Sequence, residues 1–500
     1  MPKMENDKIT AALSRLPQTV VVYDLETTGL SPQYDQILQI AAIRTDRSFA
    51  APDHPKQQLE LRARRQPWII PSPAAMIVTR VTPPMLNEGI RHDEALARIE
   101  DFFKTRPSIY MTYNGLRFDE PFLANCLFRS VLSPYLTQAR GSARADLIVI
   151  ARTIAALDPE ALAVPRADTG QPSFRLGPLC RRNGIDFPDN TAHDALADVR
   201  ATAALAAHLS EISPDLFSQA LALADKIYAG SILSPGAPIF HLRSRAGQPS
   251  ARIIAVIALV PDDPNAVICV DLAADPEKFL HLPGSQLRDW LNQSPSPISI
   301  LRKNAHEMLF SFDDSKHSDR LLQLVPTEAI LPDYVLRARA AVVSMDDNFV
   351  ARVLTILAER ASERTRSPHV DEQLNEDLPC EVDILNYSRV IKRAFPRDRA
   401  WLAGQLRDHR LRELALRICY EDQSDQMEEE LRLRLDAWKR KRLHSSGDSP
   451  WRTIAAARAE IDEMRRQIDA RDEPRLREIS EWLDSVEAET HRSTLRGDQP

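Results

Sequence analysis

Over residues 18–212, short apolar runs (VVVY, ILQIAAI, SIYMTY) alternate with longer stretches of helical spacing, the pattern of a mixed α/β domain. The stretch ALADVRATAALAAHL is rich in Ala and Leu and predicts a helix packed closely against a sheet, ended by Ser213-Pro214. Over 213–364 the texture changes to β-like runs (ARIIAVIALV, AVICVDLA, SPISILRK, EAILPDYVL) separated by Pro, Asp and Asn turns, which predicts a β-rich second domain. Within it, HLPGSQLRDWLNQ and MDDNFVARVLTILAERAS read as helices. From 367 to 488 apolar residues recur at three- and four-residue spacing among dense Arg, Glu and Asp, which predicts a helical domain. Its charge run EEELRLRLDAWKRKRL reads as a solvated helix face. Residues 489–500 are expected to form a disordered tail.

Length and composition agree with several domains. The 500 residues, 43% of them hydrophobic, exceed the roughly 250–300 at which single cores stop growing. No apolar run approaches the roughly 20 residues needed to cross a bilayer, and the opening MPKMENDKIT lacks the apolar core of a secretory signal, so a cytoplasmic protein is expected. The five cysteines form no CxxC pair and read as reduced core thiols. A formal net charge of −7 runs against a nucleic-acid partner, but clustered metal-binding carboxylates contribute negative charge of their own. Arginine supplies 53 of the 64 basic residues, a bias that genome composition explains at least as well as phosphate binding does.

Three segments carry candidate chemistry. In VVVYDLETTGL, Asp24 and Glu26 stand two residues apart at the end of an apolar strand, so both carboxylates project from one face and repel each other unless a cation lies between them. In TYNGLRFDEPFL, Asp119 opens a helix after a strand; alone it reads better as an N-cap or first-turn acid facing the helix dipole. In AHDALADV, His193 stands five residues before Asp198, with Asp194 placed to cap the helix that carries Asp198. Together the four carboxylates would hold two hard divalent cations, Mg²⁺ being the expected ion and Mn²⁺ a substitute. Such a pair favours in-line displacement at a phosphodiester, and His193 would take a proton from the attacking water. No GxxxxGK phosphate loop is present.

These motifs, with IAAIRTD, RFDEPF, QPSFRL and TAHDALADV, resemble the His-containing branch of the DEDD exonuclease superfamily, and within it the bacterial exodeoxyribonuclease I family. The resemblance implies a ribonuclease H-like exonuclease domain, an SH3-like β-rich domain and a C-terminal helical domain, forming a clamp around one DNA strand. It implies 3′→5′ degradation of single-stranded DNA to 5′-mononucleotides, in the service of DNA repair and recombination, by a monomer with no membrane partner. In that family the acid corresponding to Glu26 also touches the terminal nucleotide. The resemblance further implies phosphate contact by Arg175, strand contacts by Tyr135 and Arg152, and association with the C-terminal tail of single-stranded DNA-binding protein. LETTGL follows the general superfamily form instead of that family's aromatic variant, and Ala139 stands near where another stacking ring is expected. Two alternatives stay open: a proofreading-type or RNA-trimming exonuclease of the same superfamily, and a non-catalytic single-strand-binding protein.

Overall fold

The computed structural model describes residues 2–50, 54–187, 194–245, 247–313, 316–363, 365–466 and 472–497. The first sheet has five strands: β1 Val20–Thr27, β2 Ile37–Thr45, β3 Gln58–Arg62, β4 Ile109–Thr112 and β5 Ala143–Asp146. Their order is β3-β2-β1-β4-β5. β2 runs antiparallel to both neighbours, whereas β1, β4 and β5 are parallel. Parallel strands covered on both faces read as continuous apolar runs, and β1 and β4 are buried almost throughout. The helix Ala195–Ile212 packs on β1 and β2, its alanines allowing close approach to the sheet.

The second sheet is antiparallel in the order β10-β6-β7-β8-β9, built from β6 Ile239–Arg245, β7 Gln248–Val260, β8 Asp263–Asp271, β9 Ile298–Arg302 and β10 Met308–Ser311. The helices Gly284–Leu291 and Asp347–Ser362 stand where the apolar spacing predicts them. EAILPDYVL, expected as a β-like run, is instead a 3-10 turn, Thr327–Ala329, followed by the helix Asp333–Met345. Pro332 explains the difference: it has no N–H for a ladder, and its backbone sits well at the entrance to a helix.

The helices Pro214–Ala222 and Lys226–Ile232 follow the expected 212/213 boundary yet pack against the helices Leu147–Leu157 and Pro2–Arg15. The N-terminal helix is tied to them by Arg15–Asp225 and by Gln219 donating to Glu5. Six α-helices from Glu381–Arg389 to Glu473–Gly497 form the helical region. It reaches the first domain through two apolar clusters, one joining Trp68 and Phe128 to Leu411 and Leu435, the other joining Leu38 and Met76 to Ile454 and Leu476.

Two expectations change here. The tail expected to be disordered from 489 onward is helical through Gly497, the helix being held by buried Leu476, Ile479 and Leu483 on one side. The run EEELRLRLDAWKRKRL is not solvated throughout. Its Arg442 is buried, with its guanidinium over the rings of Tyr34, Trp438 and Trp451.

Candidate active site

The two-residue period of β1 places Asp24 and Glu26 on one face of the strand, while Tyr23 points to the other and donates its hydroxyl to Glu120 at 2.5 Å. Asp198 enters from the first turn of the helix Ala195–Ile212, whose start is capped by Asp194 accepting from the N–H groups of Leu196 and Ala197. Ligand oxygens of Asp24, Glu26 and Asp198 all lie within 4.8 Å of one another. Asp119, the first residue of the helix Asp119–Arg129, is buried and acts electrostatically on Glu26 while itself feeling Asp24. His193 lies outside the described residues.

The turn that delivers Asp119 is tightly built. Asn114 has φ 65°, in the left-handed region, and a Cβ on Gly115 would overlap Asp119 Oδ2 and lie 2.6 Å from Thr112 Cβ. Asp146, at the end of β5, gathers the turn: its carboxylate accepts from Asn114 N at 2.7 Å and Leu116 N at 3.3 Å, while capping Ile148 N at 3.2 Å. Burial raises the Asp146 carboxyl to about 6 despite those three donors.

Burial first, and then the neighbouring acids, push all three strand and helix carboxyls upward. Asp24 feels Asp198; Glu26 feels Asp24, Asp198, Asp119 and Asp194; Asp119 feels Asp24, Asp146 and Glu120. Their ionised forms therefore need positive charge beside them. A hard divalent cation with oxygen ligands meets that need, so the donor set fits such an ion.

A cavity of about 890 Å³, lined in part by Asn114, Leu116 and Asp146 around the turn that carries Asp119, lies between the first domain and the second sheet. Its wall carries Arg117, Arg144, Arg152, Arg243 and Arg252, with Asp146 and Glu307 as the acids. Glu307 is held by His241 at 3.2 Å, and Arg252 stands 3.5 Å from Asp271. Arg144 is shared between Glu120 at 3.2 Å and the carbonyl of Asn304, linking the Asp119 helix to the second sheet. His306 makes a similar link: Asp146 N–H donates to its Nδ1 at 3.1 Å, and its Nε2 lies 2.9 Å from Ala220 O.

The structure distributes the remaining sequence-predicted residues as follows. Arg152 lines the cavity, its guanidinium 5.5 Å from the Phe174 ring centroid. Arg175 is exposed at the start of the helix Leu176–Arg182, next to Phe174, whose carbonyl accepts from Tyr113 OH at 2.6 Å. Tyr135 lies elsewhere, half-buried beside Arg410 of the helical region and outside the cavity wall. Asp146, Arg117, Arg144, Arg243 and Arg252 were not singled out by the sequence. Asp146 has one local signal, an acid directly before the apolar helix LIVIARTIAAL, whereas the arginines converge only through the tertiary fold.

Residues 21–206 match the family model described as Exonuclease. Over that segment the chain is similar to the exonuclease family. Exodeoxyribonuclease I of Escherichia coli (strain K12) is 33% identical to the chain over 279 residues, covering 55% of this chain and 58% of the relative. The chain thus aligns with little more than half the length of that relative. In three dimensions the likeness extends beyond residues 21–206. Exonuclease I from Methylocaldum szegediense superposes with a TM-score of 0.81 at 24% identity, covering 94% of this chain and 100% of that one. A zinc-bound E. coli ExoI–ssDNA complex gives 0.79 at 24% identity, over 95% and 100% of the two chains. An ExoI/SSB-Ct complex gives 0.78 at 24% identity, over 95% and 99%. The first sheet with its helices, the second β-sheet region and the C-terminal helical region are therefore a shared fold. Among the described residues no helix is long and apolar enough to cross a membrane.

Proposed function

We propose that this protein is a divalent-metal-dependent exonuclease that degrades single-stranded DNA in the 3′→5′ direction to 5′-mononucleotides. The observation that carries this reading is the convergence of Asp24, Glu26 and Asp198, with Asp119 close by, inside an exonuclease-family domain. These four acids would hold two Mg²⁺ ions, which Mn²⁺ would replace. When bound, the ions supply positive charge to the attacking and leaving oxygens of an in-line phosphodiester displacement. Glu26 also orients the terminal nucleotide, and His193 takes the proton from the attacking water. Asp146 holds the turn that aims Asp119 into the site.

The arginine-lined cavity supports a polyanionic substrate. Arg243 and Arg252 stand on the neighbouring strands β6 and β7 of its wall, with Arg117 nearby, so like charges accumulate where phosphates would relieve them. Arg152 and Arg175 contact phosphate, and Tyr135 contributes a strand contact on the helical side. The chain's likeness to a fold solved with ssDNA and with SSB-Ct supports the corresponding partners here, single-stranded DNA and the C-terminal tail of single-stranded DNA-binding protein. The same reading makes the protein a monomer acting in DNA repair and recombination in the cytoplasm, and the five free thiols suit a reducing compartment.

The test compares Mg²⁺-dependent digestion of single strands blocked at the 3′ end, blocked at the 5′ end, or built from ribose. The 3′ block and the ribose backbone should each protect the strand, and the 5′ block should not. Digestion of a 3′-blocked strand from its other end would overturn the stated polarity, and equal digestion of RNA would overturn the substrate.

A further inference from the structure

Two large aromatic side chains of the helical region, Phe395 and Trp401, are 73% and 68% exposed. Phe395 caps the helix Pro396–Ala403, which buries Ala400 and Ala403 and turns Arg397 and Trp401, four residues apart, to the opposite side. The Arg397 guanidinium lies 6.0 Å from the Phe395 ring centroid. Phe395, Arg397 and Trp401 therefore form one outward-facing row of flat groups.

The surrounding charge is as unusual as the exposure. Residues 389–412 hold eight basic residues and two acidic ones, in a chain whose formal net charge is −7. Some of that charge is committed: Lys392 pairs with Asp93 at 3.4 Å and Arg399 with Asp422 at 2.9 Å. Arg389, Arg393 and Arg407 are exposed and make no ion pair among the described residues. The platform is separate from the arginine-lined cavity, whose wall contains no residue after Met308.

We infer that Phe395 and Trp401, with Arg389, Arg393 and Arg407 around them, form an accessory platform for single-stranded nucleic acid outside the arginine-lined cavity. Bases stack on the two rings and on the Arg397 plane, while the free guanidiniums meet phosphates, a combination that tolerates any sequence. Val382, Leu385 and Val390 are also exposed on the preceding segment, but the eight basic residues around the rings favour a polyanion over an apolar peptide, and alternating planes and phosphates match the row. The inference rests on the single-strand exonuclease reading and deepens it: the platform holds strands long enough to reach from the active site and contributes little to short ones.

The experiment uses the full chain without metal and measures anisotropy of oligodeoxythymidylates of about 6 and about 30 nucleotides, with expected stacking losses of about tenfold. Phe395→Ala with Trp401→Ala should weaken binding of the longer strand by about that factor and leave the shorter strand unaffected. Arg389→Ala with Arg393→Ala should reduce the salt dependence of long-strand binding by about 1.4 in log–log slope. Both double variants alter exposed side chains, and their thermal midpoints should match the parent's. Unchanged long-strand affinity in both variants overturns the platform, and so does a parent dimer that the ring substitutions dissociate without affecting DNA binding. In either case the parent still digests single strands; a parent that neither binds nor digests them refutes the exonuclease reading itself.

Discussion

Asp24 and Glu26 share a face because β1 alternates its side chains, and Asp198 reaches them because its helix starts at that end of the sheet. Asp24→Asn or Asp198→Asn should lower Mg²⁺-dependent hydrolysis by at least about a hundredfold, since altering even outer-shell partners of a metal costs 10–100-fold. In EDTA the Asp24→Asn variant should melt at a higher temperature than the parent, because it removes one carboxylate that burial and Asp198 both disfavour. Differential scanning calorimetry with and without Mg²⁺ separates the two effects. Asp371 is the opposite case. Burial alone would raise its carboxyl, but Arg417, Arg442 and Arg129 outweigh burial and hold it at about 2. Its contribution is therefore complete above about pH 4, the ordinary carboxylate value, and is lost as pH falls toward 2. Asp371→Asn, which leaves Arg417 and Arg442 buried with less compensation, should cost about 3–5 kcal/mol in urea unfolding at pH 7 and flatten the pH dependence between 4 and 2. The DxE pair was legible in the sequence because strand geometry needs only neighbours. The burial of Arg442 was not, because the Tyr34 ring beneath it lies about four hundred positions away in the chain.

At the scale of elements, the apolar period located β1, β2, β4, β7, β8 and the helix Ala195–Ile212, whose patterns are long or strongly biased. It failed at EAILPDYVL, where β-branched and aromatic residues suggest a strand and Pro332 decides for a helix entrance. The turn between β4 and the helix Asp119–Arg129 shows how closely an element can constrain chemistry. Gly115→Ala should push Asp119 aside and reduce turnover about a hundredfold, the usual penalty for roughly 1 Å of misplacement, while circular dichroism stays that of the parent. A variant with parental turnover would show that the turn has slack the structure does not display.

Across the whole molecule, the first domain and the second sheet are joined by Arg144 and His306, and the cavity between them collects arginines from β5, the adjoining helix, β6 and β7. That convergence could not be read from the sequence, because a net charge of −7 conceals a local excess of the other sign. Arg152→Ala combined with Arg243→Ala should weaken single-strand binding and reduce its log–log salt slope by about 1.4, two phosphate contacts' worth for a single strand. An unchanged slope would place the strand elsewhere. The carboxylate cluster and its direction of action are tested most directly by following a 5′-labelled single strand with Mg²⁺, with EDTA, and with the Asp24→Asn, Asp198→Asn double variant. The parent with Mg²⁺ should give a ladder of labelled products shortening from the 3′ end, and the other two reactions should leave the strand intact. Immediate release of labelled mononucleotide, or cleavage that survives both EDTA and the double substitution, would contradict it.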